Sequence, residues 1–206
     1  LTDLKVSLVN DATAACRAEH IYGRGKEFRD YGYFYIGTFV GGGVVLNNAV
    51  YDGNLGNAGA FGALRTLDAS KNETTLIDTA SIHVLEKSLS AAGLDPDRLW
   101  GDEKNWSGID PYLAPWIDQV GAELAKAALS ICAVIDFEAV LIDGAFPNDV
   151  KDAIIASAQK HLKTADSRGL IVPQIEGGVI GERAKVLGAA SGPIFNHFFL
   201  SSNFAS

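Results

Sequence analysis

The segment YGYFYIGTFVGGGVVLNNAVYDGNLGNAGAFGA, from Tyr31 to Ala63, contains the strongest β-structure signal of the chain. Aromatic and β-branched residues from Tyr31 to Ile36 predict a strand, which ends at the glycine-rich run Gly37 to Gly43. Two shorter β-rich runs follow around a tight turn: Val44 to Leu46, Asn47-Asn48 and Ala49 to Tyr51. This order of strands and turns predicts a β-meander with an unusual first turn.

The glycine-rich turn is a candidate phosphate-binding site. Glycine tolerates positive φ and lets the backbone approach a ligand closely, and successive backbone N–H groups form a concavity that suits phosphate. A threonine hydroxyl adds a further donor. The candidate phosphate-binding residues are therefore Gly37, Thr38, Gly41, Gly42 and Gly43. The alternative is a glycine-rich hairpin that binds no ligand, because short glycine motifs also occur without function.

Composition is typical of a globular protein. The chain has 206 residues, 48% hydrophobic and 20% charged, which is enough for one sizeable core or two small lobes. Its formal net charge of -8 disfavours direct binding to nucleic acid. No apolar run has the length of a membrane span, the first residues do not resemble a signal peptide, and Cys16 and Cys132 lack metal-site spacing. We therefore expect no membrane partner and a reducing, cytoplasmic location.

The residues before the meander place an asparagine and an aspartate at a strand-to-helix junction. Leu4 to Val9 predicts a short strand and Ala14 to His20 a helix, with Asn10-Asp11 between them. Asp11 either caps the helix by accepting a backbone N–H or presents a carboxylate at the mouth of a cleft, where open α/β sheets bind ligands. Both alternatives stay open.

After the meander, strands alternate with helices. The predicted elements are an amphipathic helix Ile77 to Ala92, a largely buried helix from Asp110, a strand Ala139 to Ile142, a helix from Pro147, a strand Gly169 to Val172, and a final helix Glu182 to Leu200 interrupted at Gly192-Pro193. This alternation predicts an α/β fold with a partly parallel sheet. Trp100 and Trp106 either stack on a sugar or, as we favour, fix a loop to the body of the protein.

Several motifs in this order resemble those of the ROK family (repressors, open reading frames, kinases). NDATAA at Asn10 to Ala15 resembles the family's ENDANAA, GTFVGGGVVLN at Gly37 to Asn47 its GTGIGGGIVLN phosphate loop, and GNAGAFGA at Gly56 to Ala63 its GAAGEIGH. The resemblance covers nearly the whole chain. It implies an actin-like (ribonuclease H-like) ATPase or sugar-kinase fold, with residues 1–206 mainly its C-terminal lobe. An N-terminal lobe and a DNA-binding domain are then expected upstream of Leu1, in agreement with the absence of Met.

The resemblance also implies roles for individual residues. In a kinase of the family, Asp11 is the general base for the sugar hydroxyl. The implied sugar- or effector-binding residues are Asn10, Asp11, Asn57, Ala60 and Ala63. Two of these depart from the family, because Ala60 replaces a glutamate that binds sugar hydroxyls and Ala63 replaces a histidine that helps to bind sugar and zinc.

Further departures favour a sensor over an enzyme. The family's cysteine-rich zinc loop is missing, and Asp143-Gly144 places a carboxylate where a purine would need close approach. We therefore expect the effector-binding and dimerising part of a ROK-type transcriptional regulator, without kinase activity, cofactor or zinc. The alternatives are a divergent ATP-dependent sugar kinase, which would use ATP and Mg²⁺, and a dimerisation scaffold without a ligand.

The expected partners follow from the same interpretation. They are a small sugar or sugar derivative, a second copy of the chain, and DNA only through the upstream domain. A homodimer is expected because two helices carry more apolar surface than one lobe needs. These are the helix from Asp110 and the terminal helix with Ile194, Phe195, Phe198 and Phe199.

Overall fold

The computed structural model describes residues 8–101 and 103–198, with side chains described up to Pro193. The strands are β1 (Tyr31–Ile36), β2 (Val40–Leu46), β3 (Ala49–Val50), β4 (Arg65–Leu67), β5 (Glu73–Thr75), β6 (Ala139–Gly144) and β7 (Gln174–Gly177). The α-helices are α1 (Asp11–Tyr22), α2 (Leu76–Ala80), α3 (Ile82–Ala91), α4 (Asp110–Cys132), α5 (Asn148–Thr164) and α6 (Ala184–Phe198). Short 3₁₀ turns span Arg24–Glu27, Phe61–Ala63, Pro96–Leu99 and Gly181–Arg183.

The main sheet has the strand order β3-β2-β1-β6-β7. The pairs β1–β2 and β2–β3 are antiparallel, which confirms the predicted meander, whereas β1–β6 and β6–β7 are parallel. Asn47 and Asn48 connect β2 to β3 with φ of 53° and 60°. Positive φ at both central residues is typical of a two-residue hairpin loop, and asparagine tolerates it better than most residues. The strands β4 and β5 form a separate hairpin.

Successive residues of β1 point to opposite faces of the sheet and enter two different cores. Phe34 and Ile36 face the layer of α2, α3, α4 and α5 and belong to the larger core. Tyr31, Tyr33 and Tyr35 face α1 and the start of α6 and belong to a smaller core rich in alanine. The sheet is therefore covered on both sides, which explains why all six residues of β1 are buried.

The glycine-rich turn is shorter than the sequence predicts. Only residues 37–39 turn, and Gly41, Gly42 and Gly43 lie within β2 without positive φ. The reason is close contact with α1, since a Cβ on Gly41 would lie 2.7 Å from the Cβ of Ala12 and one on Gly43 would lie 2.4 Å from the Cβ of Cys16. Gly41 and Gly43 allow a helix to approach the strand, and the three glycines do not form a turn.

Other boundaries also differ from the prediction. The expected helix Ile77 to Ala92 is two helices, because Ser81 is extended at φ -95° and ψ 156°. Its hydroxyl accepts the N–H of Val40 at 2.9 Å and its carbonyl accepts Trp116 Nε1 at 3.0 Å, so contacts with the sheet and α4 replace helix continuation. The first helix starts at Asp11, three residues earlier than expected.

The strand predicted at Gly169 to Val172 is wrong. Ile171 and Val172 are exposed in a connection, and β7 forms later, where Ile175 is buried beside β6. Helix α6 continues through Pro193 without the predicted interruption. Part of the predicted first strand, residues 4–7, and the predicted last residues of the final helix, 199–200, lie outside the described residues.

The surface invoked for dimerisation is only partly described. The apolar side of α4 is buried in the same chain, where Val120, Leu124 and Ile131 enter the larger core. It therefore provides no spare apolar face, contrary to expectation. The side chains of Ile194, Phe195, Phe198 and Phe199 lie outside the described part of the chain. Within the described residues, no helix has both the length and the apolar character needed to cross a membrane.

Candidate functional site

A cleft of about 440 Å³ opens where the start of α1, the β1–β2 turn and the loop before Phe61 meet. It brings together most of the predicted site residues: Asn10, Asp11, Thr38, Gly41, Gly42, Asn57, Ala60 and Ala63. Gly37 and Gly43 do not line it directly. The cleft thus combines the two candidate sites, the predicted sugar or effector residues and the predicted phosphate residues, in one cavity.

The N-terminus of α1 resolves the role of Asn10-Asp11. The side-chain oxygen of Asn10 accepts the backbone N–H groups of Ala12 at 3.0 Å and Thr13 at 3.2 Å, so Asn10 is the helix cap. Asp11 is the first helical residue, and its Oδ1 accepts the N–H of Ala12 at 2.8 Å. Its side chain is 63% exposed. The two roles considered for Asp11 therefore fall on neighbouring residues. Asn10 caps the helix, and the carboxylate of Asp11 faces the cleft.

Lys185, near the start of α6, is a residue of the cleft that the sequence analysis missed. Its Nζ lies 2.5 Å from Oδ2 of Asp11 and 5.0 Å from the centroid of the Tyr35 ring. A Cβ on Gly37 would lie 3.4 Å from the same Nζ, an ordinary contact, so the ammonium group lies beside the β1–β2 turn. The signal in the sequence was a single charged residue in the stretch from Ala184 to Ile194.

The charge of the cleft is balanced. Among the described residues that line it, Asp11 is the only acid and Lys185 the only base. Exposed ion pairs of this kind contribute about 0–1 kcal/mol to stability, so a ligand can replace either partner at little cost. The cleft therefore offers one acceptor and one cation that are paired with each other only weakly.

The β1–β2 turn supplies backbone donors at one end of the cleft. Val40 donates its N–H to Ser81, but within the described residues the N–H groups of Thr38 and Phe39 have no acceptor. Both residues are exposed. The free N–H donors are thus in the turn itself. The glycines in β2 contribute close packing rather than hydrogen bonds to a ligand.

The loop before Phe61 forms the opposite wall. Phe61 is fixed by the Phe34 ring, whose centroid lies 5.0 Å from its own. Gly59 adopts φ of 76°, and a Cβ there would lie 2.6 Å from the Cα of Gly43, so this loop rests directly on the strand. Asn57, Ala60 and Ala63 are exposed. The wall therefore presents one amide and two methyl groups.

Asp143 does not occupy the place expected for it. Its side chain is fully buried, with Oδ1 accepting the N–H of Gly144 at 3.0 Å and Oδ2 that of Gly181 at 2.6 Å. Burial raises the pKa of this carboxyl, and the Gly181 N–H and the ammonium of Lys151, 3.7 Å away, oppose that effect. The expectation that Asp143 presents a carboxylate to a bound purine is wrong, because the group points into the protein and fixes the segment before α6.

Trp100 and Trp106 fix a loop, as the sequence analysis favoured. Trp106 Nε1 donates to the Leu99 carbonyl at 3.1 Å, and Trp100 Nε1 donates to Glu86 at 2.6 Å. Cys16 and Cys132 are free thiols, both buried. Within residues 8–101 and 103–198, no three His, Cys, Asp or Glu side chains come together as a metal site requires. The absence of zinc and of other cofactors stays a prediction.

Comparisons with known proteins agree with the fold. The model of the ROK family matches residues 1–191. The chain is 26% identical over 194 residues to the β-glucoside kinase of Listeria innocua, covering 91% of this chain and 64% of the relative. It superposes on the ROK hexokinase of Thermus thermophilus with a TM-score of 0.67 and 26% identity, covering 92% of this chain and 65% of that one.

A regulator is also among the structural neighbours. The crystal structure of a ROK family transcriptional regulator, a homologue of the E. coli MLC protein, superposes with a TM-score of 0.67 at 22% identity, covering 92% of this chain and 52% of that one. These neighbours share the actin-like ATPase fold, which confirms the predicted fold class. The chain spans between 48% and 64% of the length of the first curated relatives that it matches.

Proposed function

The chain belongs to the ROK family, and we propose that it is the effector-binding part of a ROK-type transcriptional regulator. The effector is a sugar or sugar derivative that binds in the cleft between α1 and the loop before Phe61. The observation that carries this proposal is the composition of the cleft, in which Asp11 is paired with Lys185 and the facing wall presents Ala60 and Ala63. Such a cleft can bind hydroxyls but has few groups to orient them for chemistry.

The same geometry disfavours phosphoryl transfer. A general base must lie within hydrogen-bond distance of the hydroxyl that it deprotonates, and phosphoryl transfer depends mainly on positioning. The exposed ion pair of Asp11 with Lys185 is too weak to block this carboxylate by itself, so it is the facing wall that disfavours transfer. Ala60 and Ala63 accept no hydrogen bond from a sugar, and each charged bond that is missing costs about 1.5–3 kcal/mol of binding. We therefore propose that the sugar binds in the cleft and is not phosphorylated there.

Regulation requires that the ligand favour one conformation. A ligand shifts an equilibrium only by its difference in affinity for the two states. Asp11 begins α1 and Lys185 lies on α6, and these helices pack against each other, so a ligand that replaces the ion pair acts on the contact between them. In this proposal the chain acts as a homodimer, and DNA is bound by a domain outside this chain, which suits its net charge of -8.

Calorimetry with a panel of neutral and anionic sugars tests the proposed site. Asp11→Asn keeps the shape of the side chain but removes its charge, so the affinity for a neutral sugar that binds there should fall about ten- to a hundred-fold. Asp152→Asn makes the same charge change at an exposed position of α5 and should leave the affinity unchanged. If Asp11→Asn binds the ligand as tightly as wild type does, the ligand does not bind at Asp11.

A divergent sugar kinase is the second candidate. It is favoured by the presence of Asp11, Thr38, Gly41 and Gly42 in one cavity and by the kinase names of several relatives. In this alternative Asp11 is the catalytic base, and ATP with Mg²⁺ binds along Gly37–Gly43. The free N–H groups of Thr38 and Phe39 fit a phosphate there. A phosphorylation assay separates the two candidates.

A further inference from the structure

We infer that the cleft selects an anionic sugar derivative, with a carboxylate or phosphate group bound by Lys185 and the β1–β2 turn and a hydroxyl bound by Asp11. This inference rests on the proposed function, because it names the class of ligand for the proposed site. It assigns to Lys185 the role of a specificity-determining residue.

The first support is the placement of the cation. The Nζ of Lys185 lies beside Asp11, above the Tyr35 ring and next to Gly37 of the β1–β2 turn. An ammonium group held next to the β1–β2 turn adds a positive charge where donors are already present. The lysine reaches this position from α6, which is distant in sequence from both other elements.

The second support is the set of unused donors. Within the described residues, the backbone N–H groups of Thr38 and Phe39 have no acceptor, and the Thr38 side chain lines the same cleft. Successive free N–H groups together with a cation are a common way to bind an oxyanion. Thr38, Phe39 and Lys185 therefore supply two free N–H groups, a hydroxyl and a cation, which match an acceptor-rich group.

The charge balance explains why a neutral sugar is a poorer match. A neutral sugar that binds Asp11 in place of Lys185 gives the ammonium group no new charged partner. A ligand with both a hydroxyl and an anionic group takes both partners of the ion pair at once. Without the lysine, Asp11 would repel an anion, so removing Lys185 should reverse the preference towards neutral sugars.

The test is calorimetry on the full-length protein with glucose, glucuronate, glucose 6-phosphate and inorganic phosphate as probes. Wild type should bind glucuronate or glucose 6-phosphate about ten- to a hundred-fold more tightly than glucose, since one charged hydrogen bond is gained. Which of the two anions binds better identifies the group as carboxylate or phosphate. Lys185→Gln should abolish or reverse this preference. Lys160→Gln, which removes an exposed lysine of α5, is the matched control and should keep it.

The outcomes separate the inference from the proposed function. If glucose binds as tightly as either anion, or if Lys185→Gln retains the anion preference, the inference is wrong while the sugar site can stand. If inorganic phosphate alone binds as tightly as glucose 6-phosphate, the hydroxyls contribute nothing and the inference also fails. If no probe binds to wild type, both the inference and the proposed function fail.

Discussion

The contact between α1 and α6 gives a sharp prediction for Gly188→Ala. Alanine normally stabilises a helix relative to glycine by up to about 1 kcal/mol. Here a Cβ on Gly188 would lie 1.6 Å from the Ala14 carbonyl oxygen and 2.4 Å from its carbon, both backbone atoms that cannot rotate away. The two helices would have to separate until this contact reaches the ordinary 3.4 Å or more.

The expected cost exceeds the gain in helix propensity. Forcing one extra methyl group into a well-packed contact costs about 1–3 kcal/mol, and more where backbone must move. We expect Gly188→Ala to lower the free energy of unfolding by about 2 kcal/mol or more, which corresponds to a decrease in Tm of about 4–8 °C for a chain of this size. The displacement of α6 should also move Lys185 away from Asp11.

Urea unfolding followed by tryptophan fluorescence measures this effect. Gly192→Ala is the matched control in the same helix, because a Cβ there would meet Nη1 and Cζ of Arg17, at 2.9 and 3.8 Å, at the end of a long side chain instead of backbone. The control should be neutral or slightly stabilising. If Gly188→Ala unfolds at the same urea concentration as wild type, α1 and α6 do not cross as closely as described, and the position of Lys185 in the cleft loses its support.

Further predictions concern buried groups and assembly. His20 donates Nε2–H to the Asn48 carbonyl at 2.9 Å in the neutral form, and burial lowers its pKa from 6.5. The unfolded chain therefore binds the proton first, so stability should fall as the pH falls below 6.5 towards the lowered pKa, and urea unfolding of His20→Gln should show a flatter pH profile. Glu19 is fully buried and accepts the N–H groups of Arg24, Val179 and Ile180. Glu19→Gln should lower the free energy of unfolding by about 1–3 kcal/mol because an amide offers one acceptor atom instead of two; an unchanged urea midpoint would contradict this. For the proposed homodimer, light scattering of the full-length protein should give twice the monomer mass, and a monomer at micromolar concentration would count against it.

The sequence predicted those elements whose signal is local. Tyr31 to Ile36 and the Asn47-Asn48 turn combine β-branched and aromatic residues with a loop that tolerates positive φ, and both are confirmed. The buried strand at Ala139 to Ile142 is confirmed as well. The resemblance of the motifs also predicted a shared ligand site for Asn10, Asp11 and Ala60, and these residues line one cleft.

The errors arose where contacts distant in sequence determine the structure. The glycines at 41–43 indicated a turn, but Gly41 and Gly43 allow α1 to approach the strand and Gly42 packs against Phe61, which no local pattern reveals. Ser81 breaks a helix because Val40 and Trp116 use it as a partner. Lys185 lies 174 residues from Asp11 along the chain, so only the fold shows that the two meet. Asp143, which precedes a glycine, was expected to present its carboxylate to a ligand. It is instead buried, where it accepts the N–H of Gly181 and lies beside the ammonium of Lys151.

A coupled phosphorylation assay on the full-length protein distinguishes a sensing cleft from a catalytic one. The ligand is the sugar derivative that binds wild type most tightly in calorimetry, supplied with ATP and Mg²⁺ at saturating concentration. Because the facing wall offers only Ala60 and Ala63 in place of orienting groups, we predict binding with no phosphorylation above the control without protein. Turnover at about 1–100 per second, the usual range for kinases, would contradict the proposal and establish the chain as part of an enzyme.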